Sequence, residues 1–300
     1  MKVLVTGGAG FIGSHVVAAL LARRDEVTVL DRVPVSPAAG VYGVVGDVRD
    51  AAAVEEALDG AEAVVHLAAL GGVRESLTRG AEYEAVNVGG TRVLLETLRR
   101  RGHGRVVFAS SSSVYGPYVG GPCAEDRPLG PPASPYAGSK RAAELVGRAA
   151  WADHGLPFTA LRFFTVYGPR QRPSMAIARF VRLALQGEPL PLYGDGSTAR
   201  DYTWVADIVR AVLVAVERPQ GYQVINVGRG APVTLSELVG ALGRVLGAAP
   251  RVAYLPEQPG DVPITHADIR RARERLGWEP TVDLEEGLRR YVAWVRADSR

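Results

Sequence analysis

Residues 1–13 read MKVLVTGGAGFIG, and this stretch decides the fold. The apolar residues at 3–6 predict a β-strand, and helical periodicity begins directly after the glycines that follow it. Gly7, Gly10 and Gly13 form a G-x-x-G-x-x-G pattern. Glycines at such a turn let backbone N–H groups and a helix N-terminus approach a pyrophosphate, although a plain strand-to-helix turn also uses glycine. The pattern therefore indicates a nucleotide site only if later residues agree with it.

Short apolar runs alternate with helical periods through the first half of the chain. Helices are predicted at 13–23 and 87–101, and further strands at 27–30, 63–68 and 105–110. This alternation predicts an α/β fold in which a doubly wound, Rossmann-type parallel sheet carries helices on both faces. In such a sheet, ligands bind at the carboxyl ends of the strands.

The second half of the chain is less regular. It is predicted to contain a helix at 134–154, a strand at 158–163, short helices at 175–186 and 234–246, and a turn at 193–196. We expect a nucleotide-binding domain over residues 1–165, to which the chain returns at about 200–228. A smaller, interleaved substrate-binding domain is expected mainly within 166–300.

The composition argues against several classes of protein. The formal net charge of the 300 residues is +3, with acids among the basic residues, which is weak support for nucleic-acid binding. A single cysteine, Cys123, excludes an internal disulfide and a Cys-based metal site. The five His show no metal-ligand spacing, and no apolar run reaches the roughly 20 residues of a membrane span. We therefore expect a cytoplasmic protein with no metal, nucleic-acid or membrane partner.

An acidic residue stands where a bound dinucleotide would need one. Asp31 ends the second predicted strand, 18 residues after Gly13, where a carboxylate binds adenosine ribose hydroxyls and repels a 2′-phosphate. This favours NAD over NADP, although the neighbouring Arg32 leaves NADP open. Asp47 follows the third predicted strand and is a candidate for binding the adenine amino group, or for the N-cap of the helix that begins near Ala51.

Tyr136 and Lys140 give the strongest chemical signal. Besides Lys2, Lys140 is the only lysine in a chain whose other 33 basic residues are Arg. Four-residue spacing puts Tyr136 and Lys140 on one face of the predicted helix, where an ammonium lowers the pKa of a phenol from about 10. Ser111 belongs to a run of four serines at the carboxyl end of a predicted strand, where its hydroxyl can bridge a substrate and the phenol.

These motifs together resemble those of the extended short-chain dehydrogenases/reductases and, within them, the nucleotide-sugar epimerases. In chain order they are the glycine pattern, Asp31, His66-Leu67-Ala68-Ala69, Asn87, the SSSSVYG run at 110–116, Tyr-x-x-x-Lys and Arg200-Asp201-Tyr202. The resemblance implies tightly bound NAD, catalytic roles for Ser111, Tyr136 and Lys140, and a homodimer formed through the helices near Asn87 and Tyr136. The NAD contacts that it implies are Gly7, Gly10, Phe11, Ile12, Gly13, Asp31, Arg32, Asp47, Val48, Leu67, Ala68, Ala69, Asn87, Ser110, Tyr136, Lys140 and Phe163.

The resemblance also implies a mechanism. Tyr136, as a phenolate, takes the proton from O4 of the sugar while NAD oxidises C4. The 4-keto sugar then turns its other face to the cofactor and is reduced there, so the configuration at C4 inverts. Because there is no net redox change, no second substrate is needed.

Positions 112 and 113 separate related activities. The 4,6-dehydratases of this family carry Asp-Glu there and the decarboxylating relatives usually carry Glu, so Ser112 and Ser113 disfavour both branches. The stretch 162–176, RFFTVYGPRQRPSMA, resembles the UDP-glucuronate 4-epimerases, although Ser174 replaces their usual Asp. Thr165 replaces the Asn common in UDP-glucose 4-epimerases. Hydroxyls at 112, 113 and 165, with a nearby arginine, are suited to a sugar carboxylate.

We therefore expect 4-epimerisation of UDP-glucuronate and UDP-galacturonate, and next of UDP-glucose or UDP-N-acetylglucosamine. An NDP-sugar 4,6-dehydratase or keto-reductase is the alternative within the family, and an NAD-sensing scaffold is the alternative outside enzymes. Gln258 stands where many relatives have Arg before Pro-Gly-Asp, which leaves Arg200 as the clearest cation for the diphosphate. The expected substrate contacts are Arg74, Ser111, Ser112, Ser113, Thr165, Arg172, Met175, Tyr193, Arg200, Gln258 and Asp261.

Overall fold

The computed structural model describes residues 1–35, 40–102, 104–118, 120–256 and 262–298. Its strands are β1 (Lys2–Thr6), β2 (Glu26–Asp31), β3 (Val41–Val45), β4 (Ala63–His66), β5 (Val106–Ser111), β6 (Phe158–Phe163), β7 (Thr165–Tyr167), β8 (Leu190–Tyr193), β9 (Ala199–Arg200), β10 (Tyr202–Trp204), β11 (Tyr222–Val227), β12 (Val233–Thr234) and β13 (Val252–Leu255). Its helices are α1 (Phe11–Ala22), α2 (Ala51–Ala57), α3 (Val73–Ser76), α4 (Gly80–Tyr83), α5 (Gly90–Arg101), α6 (Pro135–His154), α7 (Ala176–Leu185), α8 (Val205–Glu217), α9 (Leu235–Leu246), α10 (Arg270–Leu276) and α11 (Leu284–Asp298).

The described residues place seven parallel strands in one sheet, in the order β11-β6-β5-β4-β1-β2-β3. The strand order reverses between β1 and β4, because the chain first builds outward through β2 and β3 and then crosses over to β4. This reversal is the switch point at which doubly wound sheets bind ligands. The predicted Rossmann-type α/β fold is confirmed.

Both faces of the sheet are covered, which explains the nearly continuous apolar runs of the strands. Alternate residues point to opposite faces, so Val3 and Val5 pack into a hydrophobic cluster with Ile208 of α8. Leu4 packs into the cluster on the other face with Val54 of α2. Helix α8 thus brings a later part of the chain onto the same face as α1, where it lies beside α1 and over β4 and β5.

The long predicted helix is confirmed as α6, and its ends follow from its sequence. The Ser134 side chain accepts from the backbone N–H of Ala137, and Pro135 occupies the first turn. At the other end Gly155 has φ +68°, the left-handed conformation that glycine adopts without strain. The strand at 158–163 is confirmed as β6, which pairs with β5.

The helix expected at 87–101 is present and ends at Arg101 as predicted, but its start has a different winding. The π-helical segment Glu84–Gly89 leads directly into α5 at Gly90 and holds Asn87 in wider-wound backbone. One local prediction is wrong. The N-cap of α2 is Asp50, whose carboxylate accepts from Ala52, and not Asp47. Asp47 lies three residues too early to reach the free N–H groups of that helix.

Short paired strands follow β6. β7 pairs with β10, β9 with β12, and β8 with β13, while α7 and α9 lie within one residue of the predicted bounds. Among the described residues, no helix has the length and apolar character that crossing a bilayer requires.

Candidate active site

Two connected cavities lie at the carboxyl ends of the sheet. The first, of about 600 Å³, is lined by residues that follow β1, β4, β5 and β6. The second, of about 330 Å³, lies over the ends of β2 and β3 and shares Gly7, Gly10, Leu67 and Ala69 with the first. Every predicted NAD contact except Asn87 lines one of the two. Together the cavities offer an elongated site on both sides of the switch point.

The predicted catalytic residues meet in the first cavity. Tyr136 and Ser111 both line it, and burial raises the pKa of the phenol, whereas the Ser111 hydroxyl and the positive charge of Arg172 lower it by less. Ser113 supports Ser111, because its N–H lies 3.2 Å and its Oγ 2.7 Å from the Ser111 Oγ. The structure therefore brings together the serine and tyrosine that the sequence placed 25 residues apart.

Lys140 lies one helical turn beyond Tyr136 and is 4% exposed. Its Nζ donates to the carbonyl oxygen of Ala109 at 2.8 Å and lies 4.9 Å from the centre of the Phe108 ring. Burial lowers the pKa of Lys140 to about 7, against the opposing effect of the Glu144 carboxylate. An amine with this pKa can change its proton occupancy near neutral pH, which a guanidinium cannot do.

The predicted substrate contacts divide into three groups. Ser111, Ser112, Ser113, Thr165, Arg172, Met175 and Arg200 line the first cavity. Arg74 and Tyr193 do not line it within the described part of the chain: Arg74 lies over the Tyr193 ring at 5.7 Å, and the Tyr193 hydroxyl accepts from Arg179 at 3.2 Å. Gln258 and Asp261 lie outside the described residues.

Asn87 differs from the other predicted NAD contacts in that it lines neither cavity, and its contact with NAD stays a prediction. It is 2% exposed, and its side chain is occupied by the backbone of Leu70: the Leu70 N–H donates to Oδ1 at 2.8 Å and Nδ2 donates to the Leu70 carbonyl at 3.0 Å. Nδ2 also donates to Ser139 Oγ on α6 at 2.9 Å. Asn87 therefore fixes the segment that separates the two cavities and does not line either one.

The sequence profile of the NAD dependent epimerase/dehydratase family matches residues 3–228. The chain belongs to this family. It is 40% identical to the UDP-glucuronate 4-epimerase of Thermodesulfobacterium geofontis over 235 residues, which cover 78% of this chain and 72% of that protein. Among solved structures, MoeE5 in complex with UDP-glucuronic acid and NAD is 43% identical, with a TM-score of 0.94 and coverage of 99% of this chain and 100% of the other. The UDP-glucuronic acid 4-epimerase of Bacillus cereus, in complex with UDP-glucuronic acid and NAD, is 32% identical, with a TM-score of 0.92 and coverage of 99% of each chain.

A member of the NAD dependent epimerase/dehydratase family needs a dinucleotide site, and the glycine turn of this chain fits one. A Cβ atom on Gly7, which has φ +73°, would lie 2.7 Å from the backbone nitrogen of Ala68. A Cβ atom on Gly13 would lie 2.1 Å from the carbonyl oxygen of Gly7. Only glycine permits so tight a turn, which leaves the amino end of α1 open to a pyrophosphate.

The second cavity fits the adenosine half of the cofactor. Asp31 is held at the end of β2, because Oδ2 accepts from Ala9 at 3.0 Å and Oδ1 accepts from Val33 at 3.2 Å. Arg49, which the sequence analysis missed, donates twice to the Asp47 carboxylate, at 2.9 Å and 2.8 Å. This pair lowers the pKa of Asp47 to about 2, so Asp47 is anionic at neutral pH.

Three further residues, which were not among the predicted ones, shape the site from behind. His66 links β4 to Thr6 at 2.7 Å and to Thr91 at 3.0 Å, and burial lowers its pKa to about 3, so the ring is neutral. Glu144 and Arg162 form a buried ion pair next to the serine run. His66 stands in the quoted His-Leu-Ala-Ala motif, but no local pattern links Glu144 to Arg162, because 18 residues separate them.

Proposed function

We propose that this protein is an NAD-dependent UDP-sugar 4-epimerase that interconverts UDP-glucuronate and UDP-galacturonate. The observation that carries the proposal is the charge pattern of the first cavity. Its described lining contains the cationic residues Lys140, Arg172 and Arg200 and no Asp or Glu. Such a cavity favours a substrate with negative charge at two places, a diphosphate and a sugar carboxylate.

The catalytic roles follow from the contacts at Tyr136. Bound NAD supplies reversible oxidation at C4 of the sugar. Tyr136 takes the proton from O4, and Ser111, which lines the same cavity, is assigned to hydrogen-bond the phenol and the substrate. Lys140, when protonated, stabilises the phenolate and holds the nicotinamide ribose, while the Ala109 carbonyl fixes its position.

The hydroxyl groups of Ser112, Ser113 and Thr165, which we call the hydroxyl wall, support UDP-glucuronate as the substrate. Ser112, Ser113 and Thr165 line the cavity together with Arg172, whose Nη1 donates to the Gly71 carbonyl at 2.8 Å. A guanidinium held by one N–H keeps further donors for a carboxylate. The remaining substrate roles stay proposals: Met175 and Arg200 as direct contacts, Arg74 and Tyr193 as a support behind the wall, and Gln258 and Asp261 as nucleotide contacts.

The alternative, a 4,6-dehydratase, has less support. Elimination of water across C5 and C6 requires an acid and a base near those carbons. Ser112 and Ser113 occupy the positions of the dehydratase carboxylates, and the described lining of the cavity holds no Asp or Glu. UDP-glucose is the second candidate substrate for the epimerase, since a hydroxymethyl group can also pair with these hydroxyls.

A ¹H NMR time course with purified protein and UDP-glucuronate tests the proposal. H4 is axial in UDP-glucuronate and equatorial in UDP-galacturonate, so we expect the signal of an equatorial H4 to appear. The C6 carboxylate should be retained, and the same equilibrium mixture should be reached from either epimer. Release of CO₂ from UDP-glucuronate would indicate a decarboxylase, and loss of the C6 hydroxymethyl signals of UDP-glucose would indicate a dehydratase. Either result would contradict the proposal. If only UDP-glucose were epimerised, the proposed substrate would be wrong and the proposed reaction would still hold.

The assembly, domain division and location are also proposals. A homodimer through α5 and α6 is supported by apolar side chains exposed on α6, Leu145 at 57% and Trp151 at 39%. Light scattering after size exclusion tests it, and a monomeric mass would contradict it.

We also propose that residues 1–165 with about 200–228 bind NAD and that 166–300 mainly bind the UDP-sugar. A cytoplasmic location is supported by the single cysteine, since secreted proteins more often carry disulfides.

A further inference from the structure

Helix α6 carries three polar residues at four-residue spacing: Tyr136, which is half-buried, and Lys140 and Glu144, which are buried. The proposed chemistry uses the first two and leaves Glu144 without a role. Glu144 is 3% exposed, and a buried carboxylate is costly unless it is paired and hydrogen-bonded. The contacts of Glu144 therefore need an explanation.

Glu144 binds two neighbouring strands at once. Its Oε1 accepts from Ser110 Oγ on β5 at 2.5 Å and from Arg162 Nε on β6 at 2.9 Å, and its Oε2 accepts from Arg162 Nη2 at 2.7 Å. Ser110 and Arg162 are directly opposite each other in the β5–β6 register. One carboxylate thus fixes the position of α6 on both strands.

Strand β5 is tied to α6 at two consecutive residues. Ala109 accepts from Lys140, and Ser110 donates to Glu144. The next residue of the strand, Ser111, lines the cavity together with Tyr136. A shift of the helix along the strand would lengthen both bonds and move Tyr136 relative to Ser111.

Arg162 is buried so that it can pair with Glu144, and one of its N–H groups is left without a partner in the described part of the chain as a result. Its guanidinium lies 4.8 Å from the centre of the Tyr115 ring, and the Tyr115 hydroxyl donates to Asn226 at 2.7 Å. Its Nη1 is buried and has no hydrogen-bond partner among the described residues. The planar, bidentate grip on Glu144 is therefore its main polar interaction.

We propose that Glu144, gripped by Arg162, is a positioning residue that fixes α6 on β5 and so controls the proton held between Tyr136 and Lys140. The inference rests on the proposed function, which assigns the chemistry to Tyr136. Glu144 touches neither substrate nor cofactor in it, and acts through Ser110 and through its charge.

The charges around Lys140 give the expected direction. Glu144 on its own helix favours the ammonium, while neutral His66 on β4 offers no competing charge. Arg162 on β6 balances part of the Glu144 charge, and the flanking phenols Tyr115 and Tyr222 are uncharged because burial raises the pKa of each to about 12. Without Glu144, Lys140 releases its proton at lower pH, and the Tyr136 phenolate loses a stabilising cation.

The double variant Glu144→Gln/Arg162→Met tests the proposal. It removes both charges together, which avoids an unpaired buried ion, and the Gln amide oxygen can still accept from Ser110. We expect bound NAD and melting temperature near those of the unmodified protein. We expect kcat at pH 7 to fall about tenfold. In the profile of kcat against pH, the apparent pKa of the acid limb should rise by about one unit. A folded double variant with an unmoved acid limb would overturn the proposal, whatever its kcat.

Arg162→Lys is the conservative control, and it also serves if the double variant does not fold. It keeps the positive charge and loses the bidentate grip, so the acid limb should stay in place while kcat falls severalfold. A kcat within twofold of the unmodified protein would overturn the positioning role.

A spectroscopic readout separates this inference from the sugar assignment. The titration of Tyr136 is obtained without substrate, as the difference in ultraviolet absorbance between each variant and its Tyr136→Phe counterpart. The midpoint should rise by about one pH unit in the double variant. If the midpoint moves and UDP-glucuronate is not a substrate, only the proposed function fails; an unmoved midpoint overturns the inference itself.

Discussion

Arg172 and Gly71 are 101 residues apart in the chain, and the Nη1 atom of Arg172 donates to the Gly71 carbonyl oxygen at 2.8 Å. Tyr83 donates to the same oxygen at 3.1 Å. The arginine thus comes from the segment after β7 and crosses the cavity to the segment after β4. A cation fixed in this way can distinguish a sugar with a carboxylate from one without it.

Replacing Arg172 should change substrate preference more than the chemical step. In Arg172→Met we expect kcat/KM for UDP-glucuronate to fall about 10- to 100-fold, the usual value of a lost charge-assisted hydrogen bond. The value for UDP-glucose should fall much less. Steady-state kinetics with both sugars measure the ratio, and Arg182→Met, at an exposed position on α7, is the matched control. Equal losses on both sugars would contradict the carboxylate role.

Tyr136→Phe should abolish proton transfer and leave binding intact. We expect kcat to fall about 10²- to 10⁴-fold, the range lost with a general base, while NAD content after denaturation stays the same. The hydroxyl partner Ser111 remains, and the aromatic contact between the rings of Tyr83 and Tyr136, 6.2 Å apart, is kept. Turnover of every UDP-sugar at an unchanged rate would disprove the mechanism.

Lys140→Arg should keep the fold and lose most of the activity. A guanidinium keeps the charge, but its planar fork cannot occupy the space of an ammonium 2.8 Å from the Ala109 carbonyl without displacing neighbouring groups. We expect at least a 100-fold loss of kcat at pH 7 with a near-native circular dichroism spectrum. Lys2→Arg, at the start of β1, is the control for the arginine substitution itself. Retention of half the activity would show that a tunable amine is not required.

The pKa of Lys140 predicts a dependence of stability on pH. The group binds its proton less tightly in the folded chain, with a pKa of about 7 against the ordinary value of 10.5. Between these values the unfolded chain holds more protons, so the free energy of unfolding should rise with pH, by up to about 1.4 kcal/mol per unit from this residue. Urea titrations at pH 7.5 and 9 of the protein and of Lys140→Met should show a smaller rise in the variant. If the free energy of unfolding rose equally between the two pH values in both proteins, Lys140 would not have a lowered pKa in the folded chain.

The glycine turn predicts a loss of cofactor on adding one methyl group. A Cβ on Gly13 would lie 2.1 Å from the Gly7 carbonyl oxygen, so Gly13→Ala must displace the turn beneath the pyrophosphate. We expect purified Gly13→Ala to carry less than a tenth of the bound NAD, measured by absorbance after denaturation. Gly89→Ala is the control, because its added Cβ meets no atom within 4 Å. Full NAD content in Gly13→Ala would place the cofactor elsewhere.

The nucleotide half could be predicted from sequence because its signals are local. Gly7 to Gly13 and Asp31 are set by one strand, one turn and the next strand, and the Tyr136–Lys140 pair by a single helix. The hydroxyl wall was found by resemblance, and the cavity lining agrees with it for Ser112 and Thr165.

Other residues could not be predicted because their roles arise from tertiary contacts. The hydrogen bonds between the Asn87 amide and the backbone of Leu70 follow no sequence pattern. Arg49 has no sequence signal because its contact with Asp47 lies in the turn between β3 and α2, where neither residue belongs to a helix or a strand. The pairing of Glu144 with Arg162 depends on how α6 lies across β5 and β6, which no sequence spacing encodes.

The packing of α8 (Val205–Glu217) beside α1 and over the central strands has a consequence for protein synthesis. Val3 and Val5 share their hydrophobic cluster with residues that the ribosome adds some 200 positions later, and the edge strand β11 ends at Val227. A fragment that stops near residue 165 would keep α1 on this face of the sheet but expose the apolar area that α8 covers, which would make it prone to aggregation. The nascent chain therefore cannot complete its nucleotide half until most of the polypeptide has left the exit tunnel, and expressing that half alone would yield insoluble material.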